Sequence, residues 1–446
     1  EAYLNNRNKA DWGHSYTETE APGNEFTRLK SIELKPIRED GKLMITVKSS
    51  LEINISFWNY VEDLVANLSL HLYAATGECV FNVITQLPPP TLGVGLHHAC
   101  CVIPKELLNT GVFYVSFMLV QDTAKPLFNF EEVLKIKEID IVDICLPPHL
   151  HFSACKKSLE AGKHVICEKP LANNAHEAAA MSSAAADAAK SGVKSMVAFN
   201  YRRVPALAVA KQLIDSGKIG DIFHVRANYL QDWIIDPEFP LVWRLDKKTA
   251  GSGALGDIAA HIIDASYFLT GSKITSVSGQ LKTFIKERPL PAAYTGLTAG
   301  TSSGRGQVTV DDTAVFTANF ENGAIGTFEA TRFAAGRKNA MSIEVNGSKG
   351  SLYFNFEDMN ELLFHDHTTP SAEAGFRKIL TTDGAQPYVA AWWPPGHIIG
   401  YEHTFTHEVY DFVVAIDKNS NPSPSFADGL YVQQVLDAVE VSAENK

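Results

Sequence analysis

The chain has 446 residues, which is too long for one ordinary domain and predicts two or three. Its 51 acidic side chains outnumber 39 Lys and Arg, giving a formal net charge of −12 that argues against a nucleic-acid-binding surface. The sequence holds no apolar run of about 18 residues that could span a bilayer. The six cysteines form no C-x-x-C pair, which is typical of reduced thiols. We therefore expect a cytoplasmic protein that does not insert into membranes.

The N-terminal part of the chain is predicted to contain a polar tail followed by strands. Residues 1–24 have few periodic apolar positions, which indicates a tail or linker. Residues 25–137 contain alternating apolar runs such as LEINISFWNY, separated by turns and with little helical signal. Strands that follow one another without intervening helices predict an antiparallel β-sandwich.

The pattern changes at residues 138–200. Three short apolar runs, VDICL, HVICE and KSMVAFN, alternate with two helical segments that stop at Gly162 and Gly192. Such a β-α-β-α-β succession requires parallel strands and right-handed crossovers. The segment is therefore predicted to be a partial doubly wound unit, half of a Rossmann-type nucleotide-binding fold.

Residues 201–446 predict an α+β domain with one large, mostly antiparallel sheet. Strand-like runs are joined by hairpin turns such as the one at Glu321-Asn322-Gly323, and three helical segments interrupt them. The stretch PAAYTGLTAGTSSGRGQ, residues 291–307, is rich in Gly, Ser and Thr and indicates a mobile loop. The predicted sheet is also a candidate surface for a homo-oligomer.

The first candidate site lies at the ends of the predicted parallel strands. Ligands of such sheets bind in the crevice outside the carboxyl ends of the strands. Here the three ends carry LPPH at 146–149, EKP at 168–170 and NY at 200–201. Alone, the Glu168–Lys169 pair would be read as a solvated loop, but the strand context favours a binding edge. Pro170 would fix the turn that directs Lys169.

The second candidate site is a helix that contains Asp257, His261 and Asp264. Their spacing of i, i+4 and i+7 predicts that two carboxylates and an imidazole share one face. An ordinary alternative is an acidic residue that favours the helix dipole beside a packed histidine. No H-E-x-x-H or third-ligand pattern accompanies these residues, so we predict no metal site.

One glycine motif resembles a dinucleotide fingerprint and is rejected. GSGALG at 251–256 matches G-x-G-x-x-G, but it follows no strand, and no acidic residue occurs between Asp264 and Glu287 to bind a ribose. The glycines are expected to let the backbone bend tightly before the helix.

From about residue 138, the phrases VDICLPPHLH, SLEAGKHVICEKPLA, AFNYRRVPA and GSGALGDIAAHIIDASYFLTG resemble the Gfo/Idh/MocA family of NAD(P)-dependent sugar and polyol dehydrogenases. Within it, the chain is similar to the levoglucosan and inositol dehydrogenase-like branch. The resemblance implies a catalytic set, substrate contacts and contacts to the nicotinamide half of NAD or NADP. The catalytic set is Lys169, Asp257 and His261; Tyr201, Arg244, Asp257 and His261 contact the substrate; Pro147, His151, Glu168 and Lys169 contact the cofactor.

The implied chemistry is the oxidation of a secondary alcohol. A histidine, with its ordinary pKa near 6.5, suits the base that takes the hydroxyl proton at neutral pH. Lys169 would stabilise the developing alkoxide, and Asp257 would either orient the imidazole or bind a neighbouring hydroxyl. The resemblance begins at the fourth strand of the family, without its strand, G-x-G-x-x-G turn and helix. We therefore expect weak binding of the dinucleotide.

Residues 1–134 resemble a different family. APGNEFTRLKSIEL, LSLHLYAATGECVFN and IPKELLNTGVFYVSFMLV are similar to the carbohydrate-binding C-terminal domain of ABC-transporter ATPases that export O-antigen polysaccharide. That resemblance implies a polysaccharide as a partner of the sandwich, beside a sugar or polyol as the substrate. Two alternatives to a fused dehydrogenase stay open: a catalytically inactive fusion and a glycan-binding module.

Overall fold

The computed structural model describes residues 13–19, 21, 26–37, 50–74, 79–86, 91–104, 113–121, 125–126, 140–295 and 298–445. The chain separates into two compact units, Glu1–Glu138 and Ile139–Lys446. None of the helices in these described ranges is both long enough and apolar enough to cross a bilayer.

The first unit contains two four-stranded antiparallel sheets. Its strands are β1 (Gly13–Ser15), β2 (Thr27–Ile37), β3 (Ser50–Asn59), β4 (Ala66–Ala74), β5 (Cys79–Gln86), β6 (Gly95–Ile103), β7 (Phe113–Gln121) and β8 (Lys125–Pro126). The sheet orders are β1-β2-β3-β6 and β5-β4-β7-β8. Ile53, Ile55 and Phe57 alternate along β3 and are buried, as the period of two predicts. Antiparallel pairing is confirmed, while packing of the two sheets as a sandwich stays a prediction.

The predicted tail is in part a strand. β1 pairs with β2 through Gly13↔Glu33 and Ser15↔Ser31. Most of the other residues of the predicted tail lie outside the described residues. A strand of three residues is too short to show a period-two pattern, so the sequence did not reveal it. Its pairing with β2 defines it as a strand.

The second unit opens with the predicted β-α-β-α-β succession, which is confirmed. Its elements are β9 (Ile141–Ile144), α1 (His151–Glu160), β10 (His164–Glu168), α2 (Ala175–Ala189) and β11 (Ser195–Ala198). Both strand pairs are parallel, in the order β11-β10-β9. Gly162 ends the first helical segment with a φ of 75°, and the Asn174 side chain caps α2 by accepting the Glu177 N–H. Parallel pairing brings the carboxyl ends of the strands to one edge.

The rest of the second unit is built on an eight-stranded sheet of order β13-β16-β17-β12-β18-β19-β20-β21. These strands are β12 (Ile222–Leu230), β13 (Ile274–Lys282), β16 (Thr313–Phe320), β17 (Ile325–Thr331), β18 (Ala340–Gly347), β19 (Gly350–Asn355), β20 (Glu361–Asp366) and β21 (Arg377–Leu380). The pairing is antiparallel except between β12 and β17, which run parallel. A mostly antiparallel sheet agrees with the sequence prediction.

Helices connect the strands and cover part of the sheet. They are α3 (Pro205–Asp215), α4 (Lys247–Ala250), α5 (Ala260–Thr270), α6 (Glu402–Asp417) and α7 (Phe426–Glu444). α5 packs on β12 and β18, and α7 packs on β13. α5 is preceded by a π-helical turn, Leu255–Ala259. This turn and the carboxyl ends of β9 and β10 shape the candidate site.

The predicted mobile loop at 291–307 is wrong. Its described residues lie in two paired antiparallel strands, β14 (Glu287–Thr295) and β15 (Thr298–Gln307). A Cβ at Gly306 would lie 2.6 Å from the Leu241 side chain and 3.0 Å from Leu290. Glycine therefore serves close packing of this strand, and a composition argument cannot distinguish that use from a flexible loop.

Candidate active site

The strand ends of the Rossmann-like segment border a cavity of about 460 Å³. Five of the residues to which the sequence analysis gave a catalytic, substrate or cofactor role line it, together with eight others. The lining residues are Cys145, Leu146, Pro147, Pro148, Glu168, Lys169, Pro170, Trp243, Arg244, Ala250, Ser252, Asp257 and Arg332. The structure therefore unites the two candidate sites of the sequence, the strand ends and the segment at Asp257.

The Asp257 carboxylate lies between two cations. Lys169 Nζ donates to the Asp257 carbonyl at 2.8 Å and to Oδ1 at 3.0 Å, while Arg332 Nη2 donates to Oδ2 at 2.8 Å. Burial alone would raise the pKa of Asp257, but the charges of Lys169, Arg332 and Arg244 outweigh it and hold the pKa well below its usual range. Asp257 is therefore an anion at neutral pH.

The glycine motif at 251–256 allows the backbone to pack closely before Asp257. The Asp311 carboxylate accepts the N–H of Gly253 at 2.7 Å and that of Leu255 at 2.8 Å. A Cβ at Gly253 would stand 1.7 Å from the Asp311 carbonyl oxygen, so no other residue fits. The glycines therefore allow the close backbone approach that fixes the π-helical turn carrying Asp257.

His261 is buried in an aromatic cluster beside this ion pair. Its ring centroid lies 4.6 Å from that of Tyr201, 5.8 Å from Tyr229 and 6.1 Å from Phe199. Within the described part of the chain, Nδ1 has no hydrogen-bond partner. Burial, followed by the charge of Lys169, lowers the pKa of His261 well below its usual value, and Asp257 opposes this only in part. The imidazole is therefore neutral at neutral pH and able to accept a proton.

Asp264 does not join the site. Its carboxylate accepts from Arg202 Nη2 at 2.6 Å and from Nε at 2.8 Å, and both side chains are buried. The expectation of one shared face for Asp257, His261 and Asp264 assumed a regular α-helix. The structure departs from it because Asp257 lies in a π-helical turn and Asp264 in α5.

Tyr201 belongs to a hydrogen-bonded network at the end of β12. Its hydroxyl lies 2.5 Å from that of Tyr229, which donates to Asn339 Oδ1. Asn339 Oδ1 also accepts from Gln231 Nε2 at 3.1 Å, and Gln231 Oε1 accepts from Trp233 Nε1 at 3.0 Å. The sequence analysis missed this network. Its one signal is the spacing of Tyr229, Gln231 and Trp233, which alternate as side chains on one face of an extended segment do.

The residues predicted to contact the cofactor differ in whether they reach the cavity surface. Pro147 and Glu168 line the cavity, and burial raises the pKa of Glu168. His151 is fully buried and is absent from the lining; its Nδ1 is 3.0 Å from the Pro170 carbonyl and its Nε2 is 2.7 Å from that of Leu146. It thereby ties the ends of β9 and β10 to each other.

Arg244 and Arg332 complete the cavity wall. Arg244 lies with its guanidinium carbon 4.2 Å from the Trp243 ring centroid, and burial lowers its pKa. Arg332, which follows β17, was not identified from the sequence because a single arginine at a strand end has no periodic signal. No cluster of three or more potential metal ligands occurs within the ranges that the structure describes.

Comparisons with known proteins agree with this geometry. Residues 115–199 match the oxidoreductase family with an NAD-binding Rossmann fold, and residues 207–353 match the GFO/IDH/MocA C-terminal domain. Levoglucosan dehydrogenase of Pseudarthrobacter phenanthrenivorans is 44% identical over 319 residues, covering 71% of this chain and 80% of the relative. The chain belongs to the Gfo/Idh/MocA family of NAD-binding oxidoreductases.

Further relatives show which proteins share this architecture. The crystal structure of an oxidoreductase domain protein from Kribbella flavida is 60% identical with a TM-score of 0.68, covering 71% of this chain and 82% of that one. The complex of levoglucosan dehydrogenase with NADH and levoglucosan is 43% identical, with a TM-score of 0.66 and coverage of 71% and 81%. Inositol 2-dehydrogenase of Rhizobium meliloti is 27% identical, covering 69% of this chain and 80% of the relative. Sugar and polyol dehydrogenases are thus among the relatives of the chain.

The substitution Gly253→Ala should destabilise the second unit by about 2 kcal/mol or more, since the added methyl group overlaps backbone atoms of Asp311. Thermal unfolding followed by circular dichroism would measure the loss. Gly375→Ala is the matched control, because a Cβ at Gly375 meets nothing within 4 Å. Equal melting temperatures for the two variants would contradict the close approach.

Proposed function

We propose that the chain oxidises a secondary alcohol of a sugar or polyol, using NAD(H), at the cavity lined by Lys169 and Asp257. The observation that carries this proposal is the ammonium group of Lys169 on an ionised Asp257, with the neutral imidazole of His261 close by. A cation, an anion and a neutral base are what the reaction needs when the hydroxyl oxygen loses its proton to a base and the carbon that bears it loses a hydride to NAD⁺. The names of the relatives support the same reaction class.

Lys169 is proposed to bind the reacting hydroxyl. An ammonium group has three N–H donors, and two of them are engaged by the Asp257 carbonyl and Oδ1. The third has no partner among the described residues, and we infer that it donates to a substrate oxygen in the cavity. A positive charge at that position stabilises the negative charge that develops on the oxygen as its proton leaves.

His261 is proposed to be the base that takes the proton. Its burial disfavours the imidazolium, so the ring is unprotonated and ready when substrate arrives. Tyr201, which packs on the ring at 4.6 Å between centroids, is held by Tyr229 and Asn339. The aromatic cluster therefore fixes the plane of the imidazole, and Asp257 compensates part of the charge once the proton is on His261.

The nicotinamide end of the cofactor is proposed to lie against the strand-end wall of the cavity. Pro147, Glu168 and Lys169, which line the cavity, are proposed to contact it, and His151 is proposed to act from beneath by bonding to the Leu146 and Pro170 carbonyls. When bound, NAD⁺ supplies the hydride acceptor. The glycine turn at 251–256 is closed by Asp311 and cannot bind a diphosphate. NADP as an alternative cofactor stays a prediction.

All the residues proposed to contact the cofactor are assigned to its nicotinamide half, so we expect NADH to bind weakly, with a dissociation constant above the micromolar range. Each lost tenfold in affinity corresponds to about 1.4 kcal/mol of missing contacts. Titration of the full chain with NADH, followed by nicotinamide fluorescence, measures this. Micromolar affinity would contradict the expectation of weak binding while supporting the proposed cofactor.

Levoglucosan is the first substrate to assay, with myo-inositol second, since dehydrogenases for both are relatives of the chain. Lys169→Ala and His261→Ala should each lower kcat/KM for NAD⁺-dependent oxidation by about a hundredfold or more, because each removes a group that acts on the reacting oxygen. NADH formation at 340 nm is the readout. The controls are Lys156→Ala and His176→Ala, which change exposed residues of α1 and α2.

A dehydrogenase is distinguished from an inactive fusion if the full chain turns over substrate, Lys169→Ala and His261→Ala lose this turnover, and the two controls keep it. Loss of turnover in all four variants would indicate a general loss of structure. Absence of turnover for every sugar and polyol assayed, at saturating NAD⁺, would contradict the proposed function.

Binding of a polysaccharide by the first unit is a second candidate function. Trp58 lies half-buried on β3, on the face opposite the buried Ile53, Ile55 and Phe57. Lys30 Nζ is 5.7 Å from its ring centroid, and Ser56 Oγ is 2.8 Å from His98 Nδ1 on the neighbouring strand. An aromatic ring beside polar side chains suits the apolar face and the hydroxyls of a sugar.

Saturable binding of the full chain to a polysaccharide array is the expected outcome of this second function, and Trp58→Ala should abolish most of the signal. Val102→Ala, which changes an exposed apolar residue of β6, is the control. An array without signal at high protein concentration would leave the first unit with no role in glycan binding.

A further inference from the structure

Arg332 is a buried arginine whose hydrogen bonds are incomplete. Only 1% of its surface is exposed, and Nη2 donates to Asp257 Oδ2 at 2.8 Å and to the Gly253 carbonyl at 3.3 Å. Its Nε and Nη1 have no partner among the residues described. Desolvating a guanidinium group and leaving two donors unpaired costs free energy, and a buried ion pair seldom repays that cost in stability. Stability alone therefore does not account for an arginine here.

The guanidinium group of Arg332 is held firmly in place. Its carbon lies 5.3 Å from the Trp233 ring centroid, and the Arg332 backbone N–H donates to the Asp312 carbonyl at 3.1 Å. Asp311, which precedes Asp312 in the chain, accepts the backbone N–H groups that fix the turn carrying Asp257. The cation and the carboxylate are thus positioned from the same stretch of chain at the start of β16.

We propose that Arg332 is a positioning residue that occupies one oxygen of the Asp257 carboxylate and thereby leaves one N–H of Lys169 free for the reacting hydroxyl. This inference rests on the proposed function of the site. It assigns Arg332 no contact with the substrate, because its unpaired nitrogen atoms are buried.

Hydrogen-bond counting supports this role. Lys169 has three N–H groups and uses two, on the Asp257 carbonyl and Oδ1. Without Arg332, Asp257 Oδ2 would lose its hydrogen-bond donor. The Lys169 ammonium group, which already bonds Oδ1, could then donate to Oδ2 as well. If the Asp257 carboxylate turned both oxygens to Lys169, the third N–H of Lys169 would donate to it. More of the charge of the ammonium group would then be compensated. Arg332 prevents this by holding Oδ2 at 2.8 Å.

The charges that act on Asp257 come from several segments. Lys169 follows β10, Arg332 follows β17 and Arg244 lies between β12 and α4; all three favour the carboxylate. The other titratable groups that interact with Asp257 or its cations include Glu168, Tyr201, Tyr229, His261, Asp311 and Asp312. Removal of Arg332 takes away one of three cations, so the carboxylate should titrate at higher pH in a variant without this charge.

The test compares Arg332→Met and Arg332→Lys in the full chain, with Arg337→Met as the control. Arg337 is an exposed arginine that pairs with Glu357 outside the cavity. In Arg332→Met we expect kcat to fall about tenfold to a hundredfold with a smaller change in KM, which is less than the loss from removing a group on the reacting oxygen. Arg332→Lys should recover most of kcat, and the control should behave as the original chain.

A second readout does not depend on turnover. In protein labelled with ¹³C at the aspartate carboxyl carbon, the Asp257 signal is assigned by its loss in Asp257→Asn. Its titration midpoint should move to higher pH in Arg332→Met and stay near the original value in Arg332→Lys. This measurement uses the chain without substrate, so failure of the proposed function and failure of the positioning role are distinguishable.

An unchanged midpoint together with an unchanged kcat in a folded Arg332→Met variant would overturn the proposal. If that variant does not fold, Arg332→Leu replaces it, because leucine likewise removes both the charge and the N–H donors. Arg332→Leu should then show the higher midpoint and the lower kcat relative to Arg332→Lys. Equal values for these two variants would overturn the proposal as well.

Discussion

The ion pair between Lys169 and Asp257 is the interaction on which the candidate site depends. It joins the end of β10 to the π-helical turn before α5, two segments that are 88 residues apart in the chain. Lys169 belongs to the NAD-binding Rossmann family segment and Asp257 to the C-terminal family domain. This contact in the cavity therefore joins the two matched family segments of the second unit.

Burying this ion pair costs free energy, and hydrogen bonds from the surrounding structure offset that cost. Asp257 is flanked by cations on both carboxylate oxygens, and Asp311 receives two backbone N–H groups of the turn. Burial raises the pKa of Asp311, yet those backbone donors favour its charged form. Buried charges that are paired in this way resist rearrangement, because any movement would leave a charge without its partner.

The sequence predicted the elements of the second unit well, since parallel strands and amphipathic helices have distinct periods. It also predicted Lys169 and Asp257 as neighbours, because strand ends of one parallel sheet meet at one edge and the family resemblance joined Asp257 to that edge. It could not predict Arg332 or Asn339, which are single polar residues at strand ends with no repeat to mark them. The one-face prediction for Asp264 failed because a π-helical turn has no clear signature in sequence. The pairing of β14 with β15 was missed because glycine in a packed strand looks the same as glycine in a loop.

The parallel pair within the otherwise antiparallel sheet has a consequence for where two residues of the site lie. Leu230 pairs with Thr331, so the chains leaving β12 and β17 run side by side in the same direction. Gln231 and Arg332 are the next residues on these two chains, and an antiparallel pair would have sent them to opposite ends of the sheet. The Gln231 N–H donates to the Thr331 carbonyl at 2.8 Å, so the two chains stay hydrogen-bonded for one residue beyond the strands. One parallel pair thereby delivers to the same end of the sheet both the amide that bonds Asn339 and the guanidinium that bonds Asp257.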